Sequence, residues 1–348
     1  MKDRMKALIL KGVRDFELKE IPVPEAGPND VLLRIKAAAI CHTDFSVMDK
    51  QHAWTKYPCV LGHEFSGVVE ECGAGVTHVK PGDRVTALAY SYCGICENCR
   101  RGIHAGCENS IAIPFHYDGA YQEYMLTPAV TVYKISDGTS FEYAAMTEPL
   151  ANAYSIVDRA KIYPGEKVAV IGPGPIGLFA VQVAALKQPD AIIMSGTRDE
   201  RLDIARRCGA THTINIRKED PYKKIMEITD GHGADVILYC GGGQEVWDLA
   251  ENVLAPFGRF IIEAVPPKVD DRYPVTAFKF LEKSMTYTGV SGYDASQFGL
   301  ALKLIENRKI IIDPIITHRF SLDNYQEAFD TVENRQGGAI KVLFNSFC

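Results

Sequence analysis

Between Lys167 and Ala264 the chain alternates short apolar runs with helical stretches, and that rhythm leaves few folds open. Strand composition marks Lys167–Ile171, Ala191–Ser195, Thr213–Ile216, Asp235–Tyr239 and Arg259–Ala264. Helical spacing fills the gaps at Leu178–Lys187, Asp199–Arg207, Tyr222–Thr229 and Glu245–Leu254. Strands joined through helices run parallel, and the crossovers turn right-handed. The expected result is an α/β domain built on a doubly wound parallel sheet.

Gly172, Gly174 and Gly177 form G-x-G-x-x-G between the first of these strands and its helix. In that context the first glycine permits a tight turn and the second lets a pyrophosphate approach the backbone. The third lets helix and strand pack closely. Pro175 and Ile176 open the helix, whose start offers free N–H groups and a partial positive charge to phosphates. These five residues are candidate dinucleotide contacts; the alternative, an ordinary glycine-rich turn, sits less well with the alternation around it.

A site for NAD calls for Asp or Glu about 20 residues on, where the second strand ends. Here Gly196-Thr197-Arg198 follows that strand. Gly196 removes the carboxylate that would repel a 2′-phosphate, Thr197 adds a hydroxyl donor, and Arg198 can fork onto the phosphate. The expectation is NADP(H) ahead of NAD(H). The competing reading makes Arg198 a solvated cap of the next helix, with Asp199 and Glu200 reading NAD's ribose.

Cys93, Cys96, Cys99 and Cys107 lie within 15 residues in the pattern C-x2-C-x2-C-x7-C. Four thiolates at that spacing can close a tetrahedral structural zinc site at roughly 2.3 Å each. Two disulfides are the alternative, but partners three apart strain the bridge, and Met1–Lys11 shows no apolar signal core that would send the chain to an oxidising compartment. The ten cysteines therefore read as reduced thiols and metal ligands, with a cytoplasmic location expected. A net charge of −6 disfavours nucleic acid and acidic membranes. No run approaches the roughly 20 apolar residues of a membrane span.

The first 150 residues read as a β-rich domain, with strand candidates Ala7–Leu10, Val31–Ala38, Phe65–Glu71 and Arg84–Ala89. Helical spacing covers Pro149–Ala160. After Gly289 come a helix at Gln297–Asn307, a strand about Pro314 and a last strand at Ile340–Phe344. Periodicity leaves open whether this tail extends the nucleotide domain or returns to the first. Cys41, His63, Glu64 and Glu148 supply thiolate, imidazole and carboxylate from separate loops, a donor set suited to a catalytic zinc that keeps a position open. A lone Gly-His-Glu is more often a loop histidine. No second histidine follows at H-E-x-x-H spacing, which argues against a zinc protease.

Cys41-His-Thr-Asp44, Gly62-His-Glu64, the four-cysteine lobe, Glu148-Pro-Leu150 and the glycine turn occur in an order that resembles zinc-containing medium-chain alcohol and polyol dehydrogenases. The resemblance spans nearly the whole chain and is greatest to the sorbitol, threonine and sugar-alcohol-phosphate branch. It implies a GroES-like catalytic domain at 1–152 with a zinc lobe at 90–108, a Rossmann domain at 153–290, and a return to the catalytic domain at 291–348. It implies two zinc ions per chain, a small alcohol or ketone substrate, and homodimers or homotetramers joined through the nucleotide domains. Residue by residue, it makes Cys41, His63 and Glu64 the catalytic zinc ligands, with Glu148 binding directly or through water. Asp44 would orient the zinc histidine, His42 would touch the pyrophosphate, and Thr43 would hand on the substrate proton. The implied reaction interconverts a secondary alcohol (polyol, sugar alcohol or its phosphate) and its ketone by hydride transfer.

Two departures from the family matter. Phe45-Ser46 stands where many relatives carry a relay histidine, leaving Ser46 with water, or His52, as the next proton station. Gly292 replaces a polyol-contacting arginine of sorbitol-type enzymes. The runner-up reading is an NAD-dependent threonine-type or simple alcohol dehydrogenase. Trp54, Tyr57, Phe115, His116 and Tyr117 are candidates either for pocket lining or for packing. A zinc-ribbon nucleic-acid binder lacks the basic stripe it would need. A zinc-free nucleotide sensor would not carry Cys41, His63 and Glu64 together.

Overall fold

The computed structural model describes residues 3–50, 54–264 and 272–347. The chain divides into two compact units, Met1–Glu148 with Tyr293–Cys348, and Pro149–Gly292. The first crossing falls inside the helix Thr147–Ala160, so neither a turn nor a shift in composition marks it, and the sequence expectation placed it four residues later.

In the second unit six strands lie in the spatial order His212–Asn215, Ala191–Gly196, Lys167–Ile171, Ala234–Tyr239, Leu254–Ile262, Thr286–Gly289. Every pairing is parallel. Numbered along the chain, the order is 3-2-1-4-5-6, the doubly wound Rossmann arrangement. Val168, Ala169 and Val170 are all buried, because helices cover both faces of such a sheet, and the strand accordingly reads as a continuous apolar run. Ile171, Ile193, Ile237, Tyr239 and Phe260 share one core cluster. The helix Pro175–Ala185 starts three residues before the apolar pattern suggests, since proline at its first position presets the helical φ.

The first unit holds a seven-stranded sheet. Its order is Ile316–Ser321, Lys341–Ser346, Asp30–Ala39, Glu64–Cys72, Arg84–Ala87, Val132–Lys134, with Tyr124–Pro128 also paired to Asp30–Ala39. A second sheet joins Asp15–Pro22, Arg4–Gly12 and Cys59–Val60. Leu8, Leu33, Phe65, Tyr121 and Phe344 belong to one buried cluster that draws on both. Leu343 and Phe344 pair antiparallel with Ala39 and Ala38, so the tail of the chain returns to the first unit. The strand expected about Pro314 begins at Ile316 instead, as proline cannot donate to a ladder.

Candidate active site and zinc lobe

The strand Asp30–Ala39 delivers the chain to Cys41, and the Ile40 N–H bonds to the Val342 carbonyl at 2.9 Å. Cys41 is the N-cap of the helix His42–Met48, with φ −111° and ψ 157°. Its N–H donates to Asp44 Oδ2 at 2.9 Å, which seats a carboxylate in the first turn, where the helix's positive end favours it. His42 opens the helix exposed to solvent. Thr43 Oγ1 lies 3.7 Å from Cys41 Sγ.

The approach to His63 is set by a second pairing. Ala120 N–H bonds to Gly62 O at 2.8 Å and Tyr121 N–H to Leu61 O at 3.0 Å. Gly62 has φ 98°, and a Cβ there would stand 2.6 Å from the Tyr121 ring, so only glycine fits. His63 and Glu64 follow at once, both buried, with Glu64 opening its strand.

One donor atom each from Cys41, His63 and Glu64 lies within 4.8 Å of the others. Asp44 is fully buried. Its Oδ2 also accepts the Tyr121 hydroxyl at 2.7 Å, while Oδ1 stands 3.7 Å from His63 Nδ1. Neither Oδ1 nor Nδ1 has a hydrogen-bond partner, and a shortening of roughly 0.7 Å would join them. Burial pushes the His63 pKa down, but the Cys41 sulfur and Asp44 outweigh it, leaving the imidazole well above its ordinary value. A sulfur, a ring nitrogen and a carboxylate converging around orphaned polar atoms fit a divalent zinc.

Glu148 lies outside this three-residue set, although it too is buried. It shares a hydrogen bond with Tyr293. Glu64 is engaged as well: Lys341 Nζ reaches both its carboxylate oxygens at 2.7 Å and the Ile40 carbonyl at 3.3 Å. Sequence reasoning missed Lys341, Tyr121 and Tyr293. Lys341 had a legible signal, a single charge inside Ala339-Ile-Lys-Val-Leu-Phe344; the two tyrosines had none. His52, named above as a relay candidate, lies outside the described residues. Ser46 is half-buried on the Thr43 helix.

Of the aromatic candidates, Tyr57, Phe115 and Tyr117 pack against the first unit's core, while Trp54 and His116 are exposed. The Tyr57 hydroxyl donates to the Val47 carbonyl at 2.8 Å. His116 Nδ1 accepts the Ala112 N–H at 3.2 Å. Trp54 is largely exposed and stands edge-on to Phe115.

The sulfurs of Cys93, Cys96, Cys99 and Cys107 form a second group within 4.8 Å, and none is in a disulfide. Main-chain N–H groups point at them, among them Cys96 to Cys93 Sγ at 3.4 Å, Cys99 to Cys96 Sγ at 3.5 Å, and Cys93 to Cys107 Sγ at 3.3 Å. Such donors favour thiolate, the form a metal takes. N–H groups of Ile95 and Cys96 bring the Cys93 thiol down to about 6. This donor set fits a closed structural zinc.

In the second unit, a Cβ on Gly177 would fall 2.0 Å from the Gly172 carbonyl oxygen, so the turn closes only without a side chain there. The N-cap of Pro175–Ala185 is Gly174, with open space at its Cβ position, a cradle suited to a pyrophosphate. Thr197 and Arg198 follow the buried Gly196 at the end of its strand, and Arg198 is the N-cap of Asp199–Arg207. The Asp199 carboxylate is already committed, taking Lys218 Nζ at 2.6 Å and Asn215 Nδ2 at 2.7 Å.

Two family models match the chain, the alcohol dehydrogenase GroES-like domain over residues 27–137 and the zinc-binding dehydrogenase over 175–307. The L-threonine 3-dehydrogenase of Pyrococcus abyssi is 34% identical over 99% of both chains. A zinc-binding dehydrogenase from Sinorhizobium meliloti 1021, solved with NADP, has a TM-score of 0.91 at 30% identity, covering 99% of this chain and 100% of that one. An Escherichia coli CFT073 alcohol dehydrogenase solved with NADH also has a TM-score of 0.91, at 26% identity and the same coverage. No helix among the described residues is long and apolar enough to cross a membrane. With this donor set, this strand order and these relatives, the chain belongs to the zinc-containing medium-chain dehydrogenases, NAD(P)-dependent enzymes of the alcohol dehydrogenase type.

Proposed function

We propose that the enzyme interconverts a small secondary alcohol, a polyol, a sugar alcohol or its phosphate, and the corresponding ketone, with NADP(H) as the preferred cofactor. The observation that carries this reading is the convergence of the half-buried Cys41 with the buried His63 and Glu64, in a chain that also bears the glycine turn. Those three residues, with Glu148 directly or through water, would hold the catalytic ion. When bound, zinc supplies Lewis-acid polarisation of an alcohol or carbonyl oxygen.

The chain's own groups do the rest. Asp44 holds the Cys41 N–H and faces His63, so it sets the direction of both ligands. The Thr43 hydroxyl takes the proton lost by the substrate hydroxyl and passes its own outward. Ser46, three residues on in the same helix and so on the same face, is the next station, with water. When bound, the oxidised nicotinamide would accept the carbinol hydrogen as hydride, so that alcohol and NADP⁺ balance against ketone, NADPH and a proton.

The cofactor preference rests on the second unit. Gly196 carries no carboxylate to repel a 2′-phosphate, Arg198 and Thr197 supply donors, and Lys218 occupies the Asp199 carboxylate that NAD's ribose would need. His42 and the Gly172–Gly177 turn are the expected pyrophosphate contacts. A homodimer or homotetramer is part of the same reading. The edge strand Thr286–Gly289 ends the sheet order, and Phe278 and Leu281 are exposed on the helix before it.

A second reading, oxidation of an amino alcohol of the threonine type with NAD, is favoured by the L-threonine 3-dehydrogenase relative. The test is a panel of L-threonine, sugar alcohols, sugar-alcohol phosphates and simple alcohols with both cofactors, together with elemental analysis. Expected are about two zinc ions per chain from the two donor sets, sugar-alcohol turnover, and NADP(H) preferred. Changing Arg198→Ala should lower kcat/KM for NADPH about 10- to 100-fold, equivalent to about 1.4–2.7 kcal/mol, and leave NADH little changed. Turnover of L-threonine alone would overturn the polyol reading, and faster turnover with NADH than NADPH would overturn the cofactor preference. A Cys41→Ser enzyme active without zinc would end both readings.

A further inference from the structure

Tyr121 is fully buried in the apolar core of the first unit. Its ring meets Phe344 edge-on at 5.1 Å and Phe329 at 6.1 Å. Its main chain is pinned on both sides: the N–H donates to the Leu61 carbonyl at 3.0 Å, and the carbonyl accepts the Leu8 N–H at 2.9 Å. Phenylalanine would fill that volume with no polar atom. A hydroxyl in such a place costs free energy unless it is bonded, so its partners point to its use.

The hydroxyl has one hydrogen and two acceptors within reach, Asp44 Oδ2 at 2.7 Å and the Ala39 carbonyl at 3.1 Å. The shorter contact is to Asp44. That same Oδ2 takes the Cys41 N–H at 2.9 Å. The terminal torsion of an aspartate is soft, and one donor leaves the carboxylate free to roll. Two donors arriving from separate segments fix it. Oδ1 is thereby turned to His63 Nδ1, 3.7 Å away, and neither of those atoms has another partner. The ring bears on His63 by a second route. It stands 2.6 Å from where a Cβ on Gly62 would be, so only the φ 98° turn of a glycine leads into His63 there. One side chain thus acts on the approach to both Cys41 and His63.

We propose that Tyr121 is a positioning residue for the metal site, whose hydroxyl completes the pair of donors on Asp44 Oδ2 and so commits Oδ1 to the imidazole of His63. The proposal rests on the reading that Cys41, His63 and Glu64 hold the catalytic ion. A carboxylate oxygen fixed on Nδ1 sets the tautomer, and with it which ring nitrogen is free to bind an ion.

The test measures zinc affinity in the whole enzyme, with the four-cysteine lobe already loaded, by competition with a chromogenic chelator. Tyr121→Phe keeps the ring and removes one oxygen. The expected result is an affinity at the Cys41 set lowered about 10-fold, the low end for an outer partner of a metal ligand. Tyr121→Phe combined with Asp44→Asn should fall no further than Asp44→Asn alone, because both act through one carboxylate. Val85→Ala, a truncation elsewhere in the same buried cluster, controls for a general loss of packing; it should lower the melting temperature and leave the affinity unchanged. Unchanged affinity in Tyr121→Phe, losses that add in the double variant, or an equal loss in Val85→Ala would overturn the proposal. Should Tyr121→Phe not fold, NMR of the wild type decides. The Tyr121 hydroxyl proton should show a through-space contact to the Cys41 amide proton, since both lie on one oxygen, and a missing contact would sink the idea. A wild-type enzyme that takes up no metal at Cys41 would instead defeat the underlying functional reading, so the two failures are distinguishable.

Discussion

Lys341 Nζ lies 2.7 Å from both carboxylate oxygens of Glu64, a residue 277 positions earlier in the chain. The two side chains are 3% and 1% exposed. Burial works against the ammonium, yet Glu64 and Cys41 outweigh it and raise the lysine's pKa. Two charges are kept out of water here because each satisfies the other.

Removing one of them should therefore cost far more than removing both. Lys341→Met leaves a buried carboxylate without its cation, and the expected loss is about 3–5 kcal/mol. Lys341→Met with Glu64→Leu should recover most of it. Urea unfolding of metal-stripped protein checks this, read by Trp54 fluorescence in a Trp247→Phe background so that only the first unit reports. A single variant as stable as the wild type would show that the pair is not ionic.

Asp44 would act on the proposed metal site without being a ligand. Its Oδ2 holds the Cys41 N–H and the Tyr121 hydroxyl, and its Oδ1 faces His63. Asp44→Asn keeps the shape and removes the charge that favours the metal-binding arrangement of that imidazole. Zinc affinity should fall about 10- to 100-fold, as measured by competition with a chromogenic chelator. An unchanged affinity would remove Asp44 from the site.

Glu142 supplies a pH-dependent tie between the two ends of the first unit. Arg319 donates to it through Nε at 2.9 and 3.0 Å and Nη2 at 2.8 Å, and Asn345 Nδ2 adds a further bond at 3.0 Å. The Arg319 bonds, chiefly, hold its carboxyl below the ordinary value. A depressed folded pKa means that stability is present above the unfolded value of about 4.3 and is lost as pH falls through the folded one. Because the pair is partly exposed, Glu142→Gln should cost only about 1 kcal/mol at neutral pH. The gap from wild type should close below about pH 4 in melting curves taken across pH; a gap that persists in acid would deny the ion pair.

Much of the second unit could be read from residues alone, since a parallel sheet covered on both faces writes its strands as unbroken apolar runs such as Val168-Ala-Val170. The edge strand Thr286–Gly289 escaped because only one neighbour demands pairing and its residues are mixed. In the first unit the helix His42–Met48 escaped for another reason: seven residues are too few to show a period, and its start depends on Asp44 reaching back to Cys41. The ligand candidates were legible as residue types on loops, but their partners were not. Tyr121 reaches Asp44 across 77 positions, and Lys341 reaches Glu64 from the far end of the chain. Periodicity carries no information about such meetings. They come from strand pairing, here Leu343 with Ala39.

That pairing also has a bearing on biosynthesis. The second unit is continuous in sequence and can finish folding while the ribosome is still adding residues. The first unit cannot: its central strand gains a neighbour, and Glu64 its counter-ion, only once the segment beyond Ile340 has emerged. A nascent polypeptide would thus carry a finished nucleotide domain and an open, thiol-bearing half-site, and metal loading at Cys41 would wait until Lys341 has emerged.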